Sequence, residues 1–419
     1  MTADAAAREP LATQQPPVTE GPPATEGPSV SEGPSNRPSG GHAPPLFAVI
    51  AGGGTAGHVL PGVAVAQALV RRGHGADALL FVGSQRGVER TVVPAAGFEL
   101  LVLPGRGIAR RFTLDNIGAV LGLVRAVWQA VVMLRRRRPA VVLSLGGYAS
   151  VACTVGAVLW RIPLVVTEQN AVAGLANKVA GRFAKACAVP FEGTDLPRSV
   201  VTGNPVRAEV EPLGDPGQRV QLRSQSRQRL GIGDQDPMMA VFSGSLGARR
   251  VNLAAAGLAR RWSNRDVVLY HVTGTRDHDL VIDELNGLTD DPECALDLRV
   301  VPYENNMEHV LAAADVVLCR SGGTTVAELA VAGVPAVLVP LPGAPRDHQR
   351  ANAMPLVHAG GAIVLDDADC TADAVDALVS PLLDDSSRRS AMATGLASVA
   401  RPDAADRVAA LVEEHARVR

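Results

Sequence analysis

Three times in this chain a short apolar run ends in a glycine-rich turn that opens directly into a helical pattern. Residues 46–51 lead into Gly52-Gly53-Gly54-Thr55-Ala56-Gly57-His58 and then a helix-like run from near Pro61 through Val70. Residues 239–242 lead into Ser243-Gly244-Ser245-Leu246-Gly247-Ala248 and a helix over 251–261. Residues 316–319 lead into Arg320-Ser321-Gly322-Gly323 and a helix through Val331. Continuous apolar strands feeding helices in this way indicate a parallel sheet covered on both faces. A glycine turn at such a junction lets backbone approach a ligand and aims free helix N–H groups at an anion.

The same alternation fills the space between these units. Strands are predicted over 79–83, 98–103, 141–145 and 164–167, with helices over 114–138 and 151–160. A polar stretch over 207–236 follows, and an interdomain linker is expected at its start. A second series then runs through strands 239–242, 267–271, 298–301, 316–319 and 336–339. The fold class is therefore α/β: two doubly wound, Rossmann-like domains facing a cleft. Ligands in such sheets bind beyond the carboxyl ends of the strands. A length of 419 residues suits two domains.

Residues 1–45 stand apart. They hold ten of the thirty prolines and a near-repeat of Thr/Ser-Glu-Gly-Pro. Such a segment buries too little apolar surface to offset its ordering entropy, and it is expected to be a disordered, inert tail. The net charge of -2 excludes a globally basic nucleic-acid binder. Five scattered cysteines with no C-x-x-C pattern indicate buried thiols in a reducing compartment, not a zinc site. No signal-peptide pattern is visible, and the longest apolar stretch, 117–134, is interrupted by Arg125 and Gln129.

The first turn matches G-x-G-x-x-G, a dinucleotide pattern. That reading needs an acidic residue at the end of the second strand to hold a ribose. Asp77 has the right distance but precedes that strand, which ends Val82-Gly83-Ser84. The nucleotide is better placed in the second half. There Gly322, Gly323, Thr324 and Thr325 form an anion cradle at a helix start, with Glu328 one turn further on the same side. Thr followed by Glu is also an ordinary capping pattern. The turn at 243–248 opens toward the same edge, which favours a diphosphate between the two. Polar residues 346–352 are candidates for sugar hydroxyls. Three D-x-D triplets, at Asp234/Asp236, Asp277/Asp279 and Asp367/Asp369, lie outside the glycine turns and read as solvated loop carboxylates. No metal and no cofactor are expected.

Eight stretches stand in order along the chain: 52–58, Gly146-Gly147-Tyr148, Glu168-Gln169-Asn170, Gly203-Asn204-Pro205-Val206-Arg207, 243–248, 319–328, Ala332-Gly333-Val334-Pro335 and 347–352. Together, over residues 46–419, they resemble the MurG family of UDP-N-acetylglucosamine transferases. The resemblance implies a GT-B fold: an acceptor and membrane-side domain over 46–206 plus 402–419, and a UDP-GlcNAc-binding domain over 207–401. The last helix, from Pro402, would cross back to the first domain. It implies inverting transfer of GlcNAc to the MurNAc 4-OH of undecaprenyl-pyrophosphoryl-MurNAc-pentapeptide (lipid I), giving lipid II for peptidoglycan synthesis, and with it a role in cell shape and division.

By the same resemblance Ser245 and the turn Gly322, Gly323, Thr324, Thr325 serve the donor diphosphate, Glu328 the ribose, and main chain at Glu304 the uracil, with Val326 and Ala327 also in the substrate-binding stretch. Gln349 would read the GlcNAc hydroxyls. Asn170 and Arg207 would line the donor side, and Thr55, Ala56, Gly57 and His58 would lie over the donor and acceptor phosphates. His58 is the candidate base, or a phosphate contact; Glu168 is the second candidate, or a supporting residue. Ala56, Thr167, Leu246 and Glu304 depart from the family's commoner residues without removing a needed group.

A membrane face is also expected. Arg106, Arg110 and Arg111 precede a helix with Ile117, Leu121, Val124, Trp128 and Val131 at helical spacing, and Arg135–Arg138 close it. Much of that stripe is expected to be core, with lipid contact confined to about 106–121. Partners implied are UDP-GlcNAc, lipid I, an anionic membrane surface on the cytoplasmic side and cell-wall synthesis or division proteins. Competing readings are a UDP-GlcNAc 2-epimerase on the same fold, a diacylglycerol glycosyltransferase and a nonenzymatic scaffold.

Overall fold

The computed structural model describes residues 46–418 except 86, 105–114, 245–246 and 289–290, and for 115–121 it describes backbone only. The tail 1–45, Arg106, Arg110, Arg111, Ser245 and Leu246 lie outside the described residues, as do the side chains of Ile117 and Leu121.

The first half runs β1 (Ala48–Gly52), α1 (Ala56–Arg71), β2 (Leu79–Ser84), α2 (Glu89–Ala95), β3 (Glu99–Leu103) and α3 (Asp115–Arg137). It continues through β4 (Val141–Gly146), α4 (Tyr148–Leu159), β5 (Leu164–Thr167), α5 (Leu175–Gly181), β6 (Ala186–Val189) and β7 (Ser199–Val201). Its seven strands form one sheet in the order β3-β2-β1-β4-β5-β6-β7, paired in parallel. Strands β1, β2, β4, β5 and β6 are buried along their whole length, as continuous apolar runs require when helices cover both faces.

The second half opens with α6 (Pro216–Leu230), then β8 (Met238–Phe242), α7 (Arg249–Arg261), β9 (Val268–Val272), α8 (His278–Glu284), β10 (Asp297–Val301) and α9 (Met307–Ala313). It ends with β11 (Val316–Cys319), α10 (Gly323–Ala332), β12 (Ala336–Leu338), α11 (His348–His358), β13 (Ala362–Val364), α12 (Ala372–Asp384), α13 (Ser386–Val399) and α14 (Ala404–His415). Six parallel strands lie in the order β10-β9-β8-β11-β12-β13.

Two expectations change. Half of the polar stretch 207–236, for which the sequence predicts no element, is helix α6. Asp215 caps it by accepting from the Gln218 N–H at 2.8 Å, Pro216 starts it, and Gly231 ends it in the left-handed region (φ 64°). Its composition is polar because little of it is core. The main exception is Arg227, whose buried guanidinium binds Asp315 and the carbonyls of Ala313, Gly233 and Asp236. Helix α1, in turn, begins at Ala56 rather than near Pro61, so the first glycine turn already contains its first residues.

The chain passes between the halves twice, and the two passages touch. A Cβ on Gly203 (φ 84°) would stand 2.5 Å from the Arg401 Cβ, and one on Gly214 would stand 2.6 Å from the Pro402 Cβ. After the second passage α14 packs on the first sheet. Val408, Ala409, Leu411 and Val412 join Ala48 and Ile50 in one core. Glu413 accepts from Arg72 at 2.7 Å and pairs with His74 at 2.9 Å.

Candidate active site

In each sheet the strand order reverses between two central strands, β1/β4 in the first and β8/β11 in the second. A crevice opens at such a reversal beyond the strand ends. The glycine turns sit there. The turn after β1 abuts the turn after β4, because a Cβ on Gly147 (φ 84°) would stand 2.8 Å from the Gly53 carbonyl oxygen. In the second half the turns after β8 and β11 follow two strands that pair in parallel.

The two crevices face each other across a narrow gap. Pro61 has no N–H to give the Gly57 carbonyl four residues before it. The Thr324 hydroxyl, from the start of α10, lies 3.4 Å from that carbonyl. Gly323 approaches the first half so closely that a Cβ there would be 2.1 Å from the Gln169 carbonyl oxygen. The N-termini of α1 and α10 therefore converge. Neither has a side-chain cap, since Thr55 and Gly322 make none. The capping reading of Thr324 and Glu328 is thus not what the structure contains. Two uncapped helix starts bring positive potential and free N–H groups to one place, which suits a diphosphate.

His58 lies in the first turn of α1. Its Nδ1 is 2.9 Å from the Thr55 hydroxyl, and its ring touches the space above Gly146 beside Asn177. Burial lowers its pKa below 6.5, against the opposing pull of Glu168 and Glu89; His348 adds to the lowering. Ala56 and Gly57 follow Thr55 at the same helix start.

Glu168 is buried at the end of β5. Its Oε1 accepts from the N–H groups of Gln169 (3.1 Å) and Asn170 (3.0 Å) and from the Asn170 amide (3.2 Å). Its Oε2 accepts from Gly174 N–H and the Asn177 amide, both at 2.9 Å. With five donors it shapes the loop 168–174. The second half grips that loop from outside. Asn352, fully buried, accepts from Ala171 N–H at 2.8 Å and donates to Asn170 Oδ1 at 3.0 Å and the Ser321 carbonyl at 3.2 Å. Arg346 donates to the Ala173 carbonyl at 2.8 Å. Among the polar residues 346–352, Asn352 is therefore a clamp between halves rather than a solvated side chain.

Glu328 accepts from Arg207 at both oxygens (2.7 and 3.2 Å), with Glu308 4.0 Å from the same guanidinium. Burial opposes the Arg207 charge, but Glu328, with Glu308 and Glu209, raises the Arg207 pKa overall. Val326 and Ala327 lie between this pair and the helix start, and Val326 N–H bonds the Gly322 carbonyl. Glu304, beyond β10, accepts from Tyr270 Oη at 2.6 Å and Asn306 N–H at 2.7 Å. Gln349 accepts from Leu341 N–H at 2.9 Å. Arg320 turns out of its glycine turn to Asp367, at 2.6 Å.

That last pair corrects part of the D-x-D reading. Asp367 is tied to Arg320 and Arg250, and Asp277 is buried, held by both nitrogens of Arg276 at 2.8 Å and by Asn252 at 3.3 Å. They are structural ion pairs rather than solvated loop carboxylates. Among the described residues no group of three or more His, Cys, Asp or Glu is arranged to hold a metal. Two residues of the membrane stripe depart from the core placement expected for much of it. Val124 (62% exposed) and Trp128 (65%) face outward, while α3 packs through Ala126, Ala130 and Leu134. No described helix is long and apolar enough to cross a membrane.

Two residues near the turns had escaped the sequence reading. Glu89, from α2, accepts from Gly54 N–H at 2.9 Å. Asn177, from α5, joins Thr167 and Glu168. Neither lies in a glycine turn, and only the fold brings them there.

The family comparisons match this arrangement half by half. The glycosyltransferase family 28 N-terminal domain matches residues 48–189, and the family 28 C-terminal domain matches 238–408. The UDP-N-acetylglucosamine--N-acetylmuramyl-(pentapeptide) pyrophosphoryl-undecaprenol N-acetylglucosamine transferase of Acidothermus cellulolyticus is 38% identical over 377 residues, 89% of this chain and 99% of that protein. Its namesake from Desulforudis audaxviator is 35% identical over 372 residues, 87% of this chain and 97% of that protein. The crystal structure of Acinetobacter baumannii MurG superposes with a TM-score of 0.67 at 26% identity, covering 88% of this chain and 99% of that one. With both halves matched in order and relatives aligned over nearly their full length, the chain belongs to glycosyltransferase family 28 and, within it, to the MurG family.

Proposed function

We propose that the chain transfers GlcNAc from UDP-GlcNAc to the MurNAc 4-OH of undecaprenyl-pyrophosphoryl-MurNAc-pentapeptide, forming lipid II for peptidoglycan synthesis. The observation that carries the reading is the meeting of two uncapped helix starts, α1 and α10, across a cleft in a chain of this family. The acceptor oxygen attacks the anomeric carbon as its bond to the UDP oxygen breaks. Attack from the opposite face turns the α-linked donor into a β-linked product. The leaving diphosphate gains negative charge, which the α10 start stabilises through Gly323, Thr324 and Thr325, with Ser245 from the turn after β8.

Glu328 holds the ribose, partnered by Arg207; main chain at Glu304 meets the uracil, and Gln349 and Asn170 meet the GlcNAc. His58 takes the proton of the attacking hydroxyl at Nε2. The tautomer this needs has Nδ1–H donating to Thr55, and the lowered pKa keeps the ring neutral near pH 7. Glu168, its oxygens occupied by five donors, supports the loop beneath rather than acting as base.

In this reading residues 46–206 with 402–419 serve the acceptor and residues 207–401 the donor. The enzyme works as a peripheral protein on the cytoplasmic face of the membrane, docking on anionic lipid. The test is UDP release from UDP-GlcNAc with and without a lipid I analogue. Release that depends on the analogue, with GlcNAc appearing on it, is expected; UDP release or ManNAc formation indifferent to the analogue rejects the assignment.

A further inference from the structure

Glu89 belongs to no glycine turn, yet its carboxylate is built into the first one. The residue is 1% exposed. Its Oε2 accepts from Gly54 N–H at 2.9 Å, and its Oε1 accepts from Ser84 N–H at 2.7 Å and the Ser84 hydroxyl at 2.8 Å. Three glycines make room for it. A Cβ would stand 2.3 Å from it at Gly53, 2.5 Å at Gly83 and 1.8 Å at Gly87. Burying a carboxylate costs several kcal/mol unless donors compensate it, so a glycine-walled pocket with three donors is a built site for that anion.

The place it occupies matters. Ser84 ends β2, where a dinucleotide-binding sheet would carry the acid that holds a ribose, and Gly54 N–H is a donor that such a turn would offer a pyrophosphate. Here the protein's own carboxylate takes both positions. Gly54 is followed directly by Thr55, whose hydroxyl meets His58, and by the start of α1.

We propose that Glu89 is a positioning residue for the transfer reaction: as an internal anion it locks Gly53–Gly54 so that Thr55 and His58 are presented to the cleft, and it keeps substrate phosphates off that part of the turn. This rests on the transfer reading for its consequence in turnover, though not for its geometry. Three charged or titratable groups act electrostatically on His58: Glu89 from α2 and Glu168 from the end of β5 favour its charged form, and His348 from α11 opposes it. Glu89→Gln leaves Glu168 and His348 chemically unchanged, so the titration of the base is read together with an independent measure of the lock.

The test is Glu89→Gln, which keeps shape and removes the charge. We expect kcat for the lipid I analogue to fall about 10- to 100-fold, the size of effect that a misplaced reacting group produces. KM for UDP-GlcNAc should stay within about twofold, because the donor side is untouched. The acid limb of kcat should move to lower pH, since one carboxylate that favours the imidazolium is gone. Unchanged kcat and an unmoved acid limb overturn the proposal. Exchange of the Gly54 amide hydrogen reads the lock without turnover: it should be slow in the wild type and faster in the variant. Equal exchange overturns the proposal whatever the activity. Slow wild-type exchange with no lipid-dependent UDP release overturns the transfer reading and upholds the lock. If the variant does not fold, Ser84→Ala decides: it withdraws one donor, and Gly54 exchange equal to wild type overturns the proposal.

Discussion

A proline in the second turn of α1 leaves the Gly57 carbonyl without its helical partner, and a threonine from the other half of the molecule approaches it. The same helical turn carries His58, so the residue proposed as base sits beside one of the closest approaches between the halves. His58→Ala is expected to lower kcat by about 100- to 10,000-fold, the usual worth of a positioned base, while UDP-GlcNAc affinity holds. Wild-type kcat should be flat near neutral pH and fall as pH drops below 6.5, because burial depresses the imidazole pKa and protonation then removes the base. Steady-state kinetics across pH check both; turnover retained at saturating substrate excludes the base role. His58 was legible in the sequence because it ends a glycine turn. Glu89 was not, because a glutamate five residues past a strand end looks like any helix-start acid until three glycines are seen to surround it.

Helix α3 shows what spacing conceals. Val124, Trp128 and Val131 recur at helical intervals and read as a stripe that is largely core. The core face bears Ala126, Ala130 and Leu134, and Leu134 and the Val131 backbone pack against Gly156 of α4, so of these three stripe residues only Val131 turns toward the core. Val124 and Trp128 are left outside, and α4 adds exposed Val155, Val158 and Leu159. Arg135 lies 5.2 Å from the Trp160 ring centroid at the basic end of α3. An apolar face with a basic border fits lipid docking. Replacing Val124 and Trp128 together by serine should weaken binding to anionic vesicles by about tenfold or more, given the apolar area withdrawn, and leave UDP-GlcNAc affinity unchanged. Co-sedimentation with vesicles measures this, and unchanged binding removes α3 from the docking face. Helix α6 is the converse case: a polar run shows no apolar face and predicts no element, yet Asp215, Pro216 and Gly231 are its start and stop signals.

The molecule is joined at two adjoining chain passages and at a clamp, with Asn352 and Arg346 holding the loop that Glu168 shapes. Because α14 completes the core of the first sheet, the end of the chain stabilises its beginning. Leu411→Ala should cost about 2–4 kcal/mol in urea unfolding, as for other buried leucines, with little change in UDP-GlcNAc affinity. A loss below the error of the measurement would mean that α14 contributes little to that core. Strand runs, glycine turns and their order were readable from the chain alone, since apolar continuity and backbone freedom are local properties. The two sheets and the edge on which a ligand would lie follow from them. Pairings between distant residues are not local. That Glu89 fills a turn, that Arg207 engages Glu328, that Asn352 bridges the halves and that Trp128 faces outward depend on which surfaces meet. Side-chain partners and helix faces are set by packing, and packing exists only once the chain has folded.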